Sequence, residues 1–185
     1  MGGEQSGLAA QLLWRPALRH RGGFAYLTVR SWRASTRIED LADFRREKRL
    51  KRPELIGLAA DEVAGELAAL LQPRPPWIVT AVAPGHSRER LSWAVLLAIA
   101  VAERLKLPFV ELFHTRPVNG SSHPRQNLAL PPLEWAATPA NPAIVVDDVA
   151  TSGWHMAEAL GALRDCGIPA IGAAWIAGIV RGRPE

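Results

Sequence analysis

Residues 143–156 read Ala-Ile-Val-Val-Asp-Asp-Val-Ala-Thr-Ser-Gly-Trp-His-Met. Ala143, Ile144, Val145 and Val146 form a short continuous apolar run, bounded upstream by Pro139 and Pro142. Such a run suits a strand of a parallel sheet, where helices cover both faces and no polar alternation is needed. Asp147 and Asp148 are expected to end the strand, and Thr151-Ser152-Gly153 makes a turn of small residues. Beyond it Met156, Ala159, Leu160 and Leu163 recur at the spacing of a helix with one buried stripe. The order is strand, polar turn, helix.

That order has a chemical use. The first turn of a helix presents backbone N–H groups and the positive end of the macrodipole, and the hydroxyls of Thr151 and Ser152 add donors beside them. A phosphate suits such a turn. The carboxylates just upstream accept hydrogen bonds from sugar hydroxyls, or bind a hydrated magnesium ion, which takes one or two carboxylates plus substrate oxygens. A sugar joined to a phosphate is the implied ligand. Taken singly, each feature also describes an ordinary strand end followed by a capped helix. Their succession within fourteen residues is what points to a site.

The stretch resembles the phosphoribosyl pyrophosphate signature of type I phosphoribosyltransferases: a hydrophobic strand, two acidic residues, two mostly apolar positions and a small Thr/Gly-rich phosphate loop. The chain around it is most similar to the competence-protein-F (ComF-like) branch of that superfamily. The resemblance implies that Asp147 and Asp148 meet the ribose hydroxyls as catalytic residues and are the positions for a magnesium cofactor. It implies that Thr151, Ser152, Gly153, Trp154 and His155 form the loop around the 5′-phosphate, with Val149 and Ala150, the two apolar positions before it, also binding substrate. The last of these positions is usually Thr, Ser or a small residue, and His155 departs from that. A histidine there adds a cationic donor or crowds the phosphate, and the sequence leaves both open. Upstream, Pro84, Gly85, His86 and Ser87 resemble the loop that meets the pyrophosphate leaving group, with Arg88 and Arg90 placed to neutralise charge as it develops. On its own that segment is also a common Pro-Gly turn followed by a serine cap. The segment from Arg116 to Asn127 sits where the family carries a mobile lid, with Arg116, His123 and Arg125 as sources of positive charge. A solvated, proline-rich linker is the alternative there.

The rest of the chain is consistent with this frame. At 185 residues, 48% hydrophobic and 22% charged, it fits one ordinary α/β domain. The longest apolar run, Trp93 to Ala102, is too short to span a bilayer, and Met1 to Gly7 lacks the basic and apolar pattern of a secretory signal, so a cytoplasmic location is expected. Cys166 stands alone, which excludes an intramolecular disulfide. Net charge is only +4, yet twelve of the twenty-two Lys and Arg residues fall between Arg15 and Arg52, against four acids.

Residues 1–52 read as a small basic N-terminal accessory piece, with a strand at Phe24 to Val29 and a basic amphipathic helix from Ile38 to Leu50. Residues 53–185 read as a parallel twisted sheet flanked by helices. Pro53 opens a helix running to about Gln72, Trp77 to Ala83 is a strand, and a helix follows from Ser87 or Leu91 to Leu105. Phe109 to Phe113 is a third strand, and Ala170 to Ile179 a last one. The stretch between, from His114 to Pro142, holds six prolines and reads largely as loop.

The expected reaction is transfer of ribosyl phosphate from phosphoribosyl pyrophosphate, with magnesium, to a nitrogen nucleophile. The rivals are a sensor of ribose phosphates or nucleotide monophosphates that has lost turnover, and a DNA-processing accessory protein. The last rests on Arg45 to Arg52 as a nucleic-acid contact. A homodimer is a further expectation; a membrane partner is not. Thr151 stands where the family's enzymes for 6-oxopurines typically carry an aspartate that hydrogen-bonds or deprotonates the base. Poor turnover of hypoxanthine and guanine is therefore predicted, and robust turnover of either in a coupled assay would contradict it.

Overall fold

The computed structural model describes residues 11–33, 38–71, 75–83, 91–116 and 131–178, with the backbone alone over 38–41. Its strands β1 (Leu12–Arg21), β2 (Phe24–Trp32), β3 (Ile78–Ala81), β4 (Ala143–Ala150) and β5 (Ala170–Ala177) form one sheet in the order β1-β2-β5-β4-β3. The helices are α1 (Ile38–Leu50), α2 (Pro53–Leu71), α3 (Trp93–Leu105) and α4 (Trp154–Asp165). Pairing is parallel from β2 through β5 and β4 to β3, and antiparallel only between β1 and β2. The α/β class expected from the sequence is the one observed.

The apolar run of β4 is buried on both faces. Ile144 and Val146 pack into the core shared with α2 and α3, while Ala143 and Val145 join Met156, Ala159, Leu160 and Leu163 of α4 on the other side. Alternate strand residues point to opposite faces, so a central strand of a two-sided sheet must be apolar at every position. Each such Val or Ile side chain contributes about 1.5–3 kcal/mol. The strand does not stop at the aspartates, contrary to expectation. It pairs with β5 as far as Asp147 with Ala174, Val149 with Ile176 and Ala150 with Ala177, because β5 offers main-chain partners beyond the carboxyl groups.

Two further features have local causes. Leu12–Arg21 is a strand although Pro16 interrupts its pattern, because β1 lies at the sheet edge and its register with β2 shifts between Trp14 and Ala17. Gly22 and Gly23, both at positive φ, make the two-residue turn into β2. The strand expected at Phe109 to Phe113 is reduced to single bridges, Val79 with Phe109 and Phe113 with Trp135. The Leu112 N–H donates to Thr80 Oγ1 (3.3 Å) instead of to a main-chain carbonyl, which breaks the ladder.

The helix limits follow local chemistry. Ser92 Oγ accepts from the Val95 N–H (3.3 Å), so α3 starts at Trp93, and Lys106 in the left-handed region ends it. No helix among the described residues is long and apolar enough to cross a membrane. The accessory strands are not set apart from the sheet: β2 shares its ladder with β5 from Tyr26 to Ser31.

Beneath that junction the Glu62 carboxylate of α2 accepts from Arg30 Nε of β2 (2.7 Å) and from Trp175 Nε1 of β5 (2.7 Å). One acceptor therefore ties a helix to two strands. Glu62→Ala is expected to cost about 2–4 kcal/mol in urea unfolding, because a largely buried guanidinium and indole lose this acceptor. A loss below about 0.5 kcal/mol, the range of surface changes, would contradict it.

Candidate functional site

Asp147 and Asp148 lie at the carboxyl end of β4, only 8% and 6% exposed. Successive strand residues face opposite sides. Asp147 enters a cavity of about 140 Å³ that is also lined by Val149, Ala150, Thr151, Ser152, Gly153, Trp154, His155 and Met156. Asp148 is not in its lining and instead meets α1, where its Oδ2 is ion-paired with Lys48 Nζ. Each carboxylate also accepts from the next main-chain N–H: Asp147 Oδ1 from Asp148 and Asp148 Oδ1 from Val149, both at 2.8 Å.

The turn between β4 and α4 is held from three sides. Gly153 sits at φ 73° at the helix start, and a Cβ there would come within 2.9 Å of Tyr26 Cζ. The phenol therefore backs the loop, and the residue must be glycine both for its φ and for the space. Below, the Gly178 N–H donates to Ala150 O (2.9 Å), and a Cβ on Gly178 would lie 2.8 Å from Thr151 O. From the hairpin, Arg21 Nε donates to Ser152 O (2.7 Å) while its guanidinium carbon stands 5.3 Å from the centre of the Trp154 ring. Trp154 and His155 form part of the cavity wall and leave the cavity open.

Lys48, Arg21, Tyr26 and Gly178 were not singled out by the sequence. Their signals are faint: Lys48 is one base among many, and Gly178 merely follows the last strand. What brings them together is contact between elements far apart in the chain, such as Arg21 with Ser152 and Lys48 with Asp148. Arg116, by contrast, was expected to lend positive charge to a lid and does something else. It is 6% exposed, with its guanidinium on the Glu158 carboxylate (2.7 and 2.8 Å) and on Pro131 O (2.9 Å). Its charge is spent on joining the two ends of segment 117–130 to α4. Pro84, Gly85, His86, Ser87, Arg88 and Arg90, and likewise His123 and Arg125, lie outside the described residues.

Electrostatics follow from burial. Removal from water, and then the charge of Asp148, push the Asp147 carboxyl well above the usual carboxylate range. Burial also raises the Tyr26 phenol, against Arg21 and Arg19. Burial works against the Lys48 ammonium, but Asp148 and then Asp147 outweigh it and hold its pKa above the usual lysine value. The cavity is thus lined by a carboxyl group, by the hydroxyl-bearing residues Thr151 and Ser152 and by the first residues of α4.

No family model matches the chain, and no curated protein matches it. Similar solved structures include orotate phosphoribosyltransferase from Aeropyrum pernix, with 17% identity over 94% of this chain and 78% of that one and a TM-score of 0.41. Adenine phosphoribosyltransferase from Saccharomyces cerevisiae, complexed with an imino-altritol bisphosphate and adenine, has 19% identity over 92% and 86% and a TM-score of 0.46. With TM-scores this low, neither likeness assigns an activity to this chain.

The folded chain binds the Asp147 proton more tightly than the unfolded chain does. Asp147 therefore favours folding at low pH, and that contribution is lost as pH rises through its raised pKa. Asp147→Asn removes the ionisation. At about pH 8 it is expected to raise Tm by roughly 2–4 °C, the shift that about 1 kcal/mol makes in a domain of this size. The gain should shrink as pH falls toward the ordinary carboxylate range, and a difference that does not change with pH would contradict it.

Proposed function

We propose that the chain binds phosphoribosyl pyrophosphate and transfers its ribosyl phosphate to a nitrogen nucleophile, releasing pyrophosphate. A competence-protein-F-like affiliation belongs to the same proposal. It is supported by the signature in β4 and by the basic N-terminal segment. The observation that carries the proposal is the shared cavity of Asp147 and residues Val149 to His155. A carboxyl group there accepts from ribose hydroxyls, and the Thr151–Ser152–Gly153 turn with the positive end of α4 takes the 5′-phosphate. Sugar and phosphate are thus recognised at the spacing that one strand end and one turn impose.

Topology supports the same reading. From β3 the chain passes through α3 to Phe109, which bridges Val79 of β3, and then returns to β4, which also pairs with β3. Strand order reverses between those two elements, and the crevice beyond their carboxyl ends is where open α/β sheets bind ligands. Cleavage at the anomeric carbon gives a transition state with ribosyl cation character and negative charge on the departing pyrophosphate. The protein's contribution is then to position the ribose, neutralise charge and exclude water. No covalent nucleophile is required. Arg88, with Pro84 to Ser87, is proposed for the leaving group because the segment follows β3 in sequence, as the resemblance requires.

Magnesium, which the resemblance implies at Asp147 and Asp148, does not fit these side chains as they stand. One oxygen of Asp148 holds the Val149 N–H and the other holds Lys48, while burial favours the protonated form of Asp147. An oxygen already bound to an ammonium is a poor ligand for a divalent ion.

The test is pyrophosphate release from phosphoribosyl pyrophosphate across a panel of nitrogen bases, alongside calorimetry with ribose 5-phosphate. Wild-type protein should release pyrophosphate with at least one base. Asp147→Ala should weaken ribose 5-phosphate binding by about 1.5–3 kcal/mol, tenfold or more, the worth of a hydrogen bond to a charged or polarised group. Binding without release in any case would sink the transfer reaction, and unchanged affinity in Asp147→Ala would sink the site.

A further inference from the structure

We propose that Lys48 occupies the cation position of the acidic pair, so that sugar phosphate binding at this site needs no divalent metal held by Asp147 or Asp148. The inference rests on the reading of the pair as the sugar contact. It goes beyond that reading by naming the group that balances the pair's charge.

The ammonium is placed by the fold. Lys48 lies in the last turn of α1, with Nζ on Asp148 Oδ2 and 5.7 Å from the centre of the Phe44 ring one turn earlier. Phe44 is buried and meets Trp32 of β2 edge to face at 5.5 Å. That contact fixes α1 against the end of the sheet. The end of α1 is fastened as well: the Lys51 N–H donates to Glu47 O (3.1 Å), and Arg52 pairs with the Glu47 carboxylate (3.0 Å). The amino group is therefore delivered to the pair by a helix held at two points.

Charge and geometry then decide between the ammonium and a metal. Two adjacent carboxylates buried at a strand end need a counter-charge, because their mutual repulsion and lost hydration act together. Lys48 supplies one positive charge directly at Asp148 Oδ2, and the Val149 N–H occupies the other oxygen of that carboxylate. A divalent ion brought to the same oxygens would be repelled by the ammonium and would have to displace it. An ammonium also has three N–H donors, of which Asp148 accepts one, so it can serve oxygen acceptors as a metal's bound waters would. This gives one base of the N-terminal cluster a defined task.

The metal alone tests the proposal. On the full chain, titration with Mn²⁺ followed by electron paramagnetic resonance should show no specific site in wild type. Lys48→Met should bind one Mn²⁺ at least about tenfold more tightly, and adding Asp148→Asn should abolish that site. Lys48→Arg should resemble wild type. Circular dichroism verifies that each variant is folded; if Lys48→Met is not, Lys48→Gln takes its place. A wild type that binds Mn²⁺ in an Asp148-dependent way, or a folded neutral variant that does not bind it, overturns the proposal. So does a tenfold loss of ribose 5-phosphate affinity when wild type is treated with chelator. Should ribose 5-phosphate fail to bind at all, the transfer reading falls, while the Mn²⁺ titration, which needs no sugar, still decides the role of Lys48.

Discussion

Burying two neighbouring carboxyl groups at the end of a central strand carries a large electrostatic penalty, and much of the surrounding structure offsets it. Main-chain N–H groups of Asp148 and Val149 each donate to the carboxylate one residue back. Lys48 brings a counter-charge from a helix more than ninety residues earlier in the chain. What is left appears as the raised affinity of Asp147 for its proton. None of the three suffices alone, since a hydrogen bond contributes about 1 kcal/mol net while an unpaired buried charge costs several. The residue that opens into the cavity is the one whose charge is least supported.

A second constraint is space. Gly172 packs where a Cβ would lie 2.8 Å from Met156 Cγ and from Tyr26 Cβ, so β5 lets α4 and β2 close in over it. Gly153 and Gly178 do the same for the turn that joins β4 to α4. The turn rests on backbone and on an aromatic ring, with Arg21 fastening Ser152 from outside. The turn is thus held by contacts within the protein itself. The β1–β2 hairpin buttresses this turn, because β2 supplies Tyr26 and the end of β1 supplies Arg21.

The sequence by itself determined the elements whose signal is local. The apolar run of β4, the stripe of α4, the proline start of α2 and the amphipathic pattern of α1 are read within a few turns or one strand, and the structure has them at or near those limits. The succession of strand, acidic pair, small turn and helix also lies within a single stretch, and residues 147 and 149–155 do line one cavity. Tertiary structure decided the rest. Whether Leu12 to Arg21 forms a strand depends on an edge position that tolerates Pro16, and whether Phe109 to Phe113 does depends on the hydroxyl of Thr80. Arg116 turns inward to Glu158, and Lys48 alone among its basic neighbours in α1 reaches Asp148. Periodicity and caps act between residues a few positions apart, whereas the partner of a buried charge is chosen by how helices and strands pack, and no local pattern encodes that.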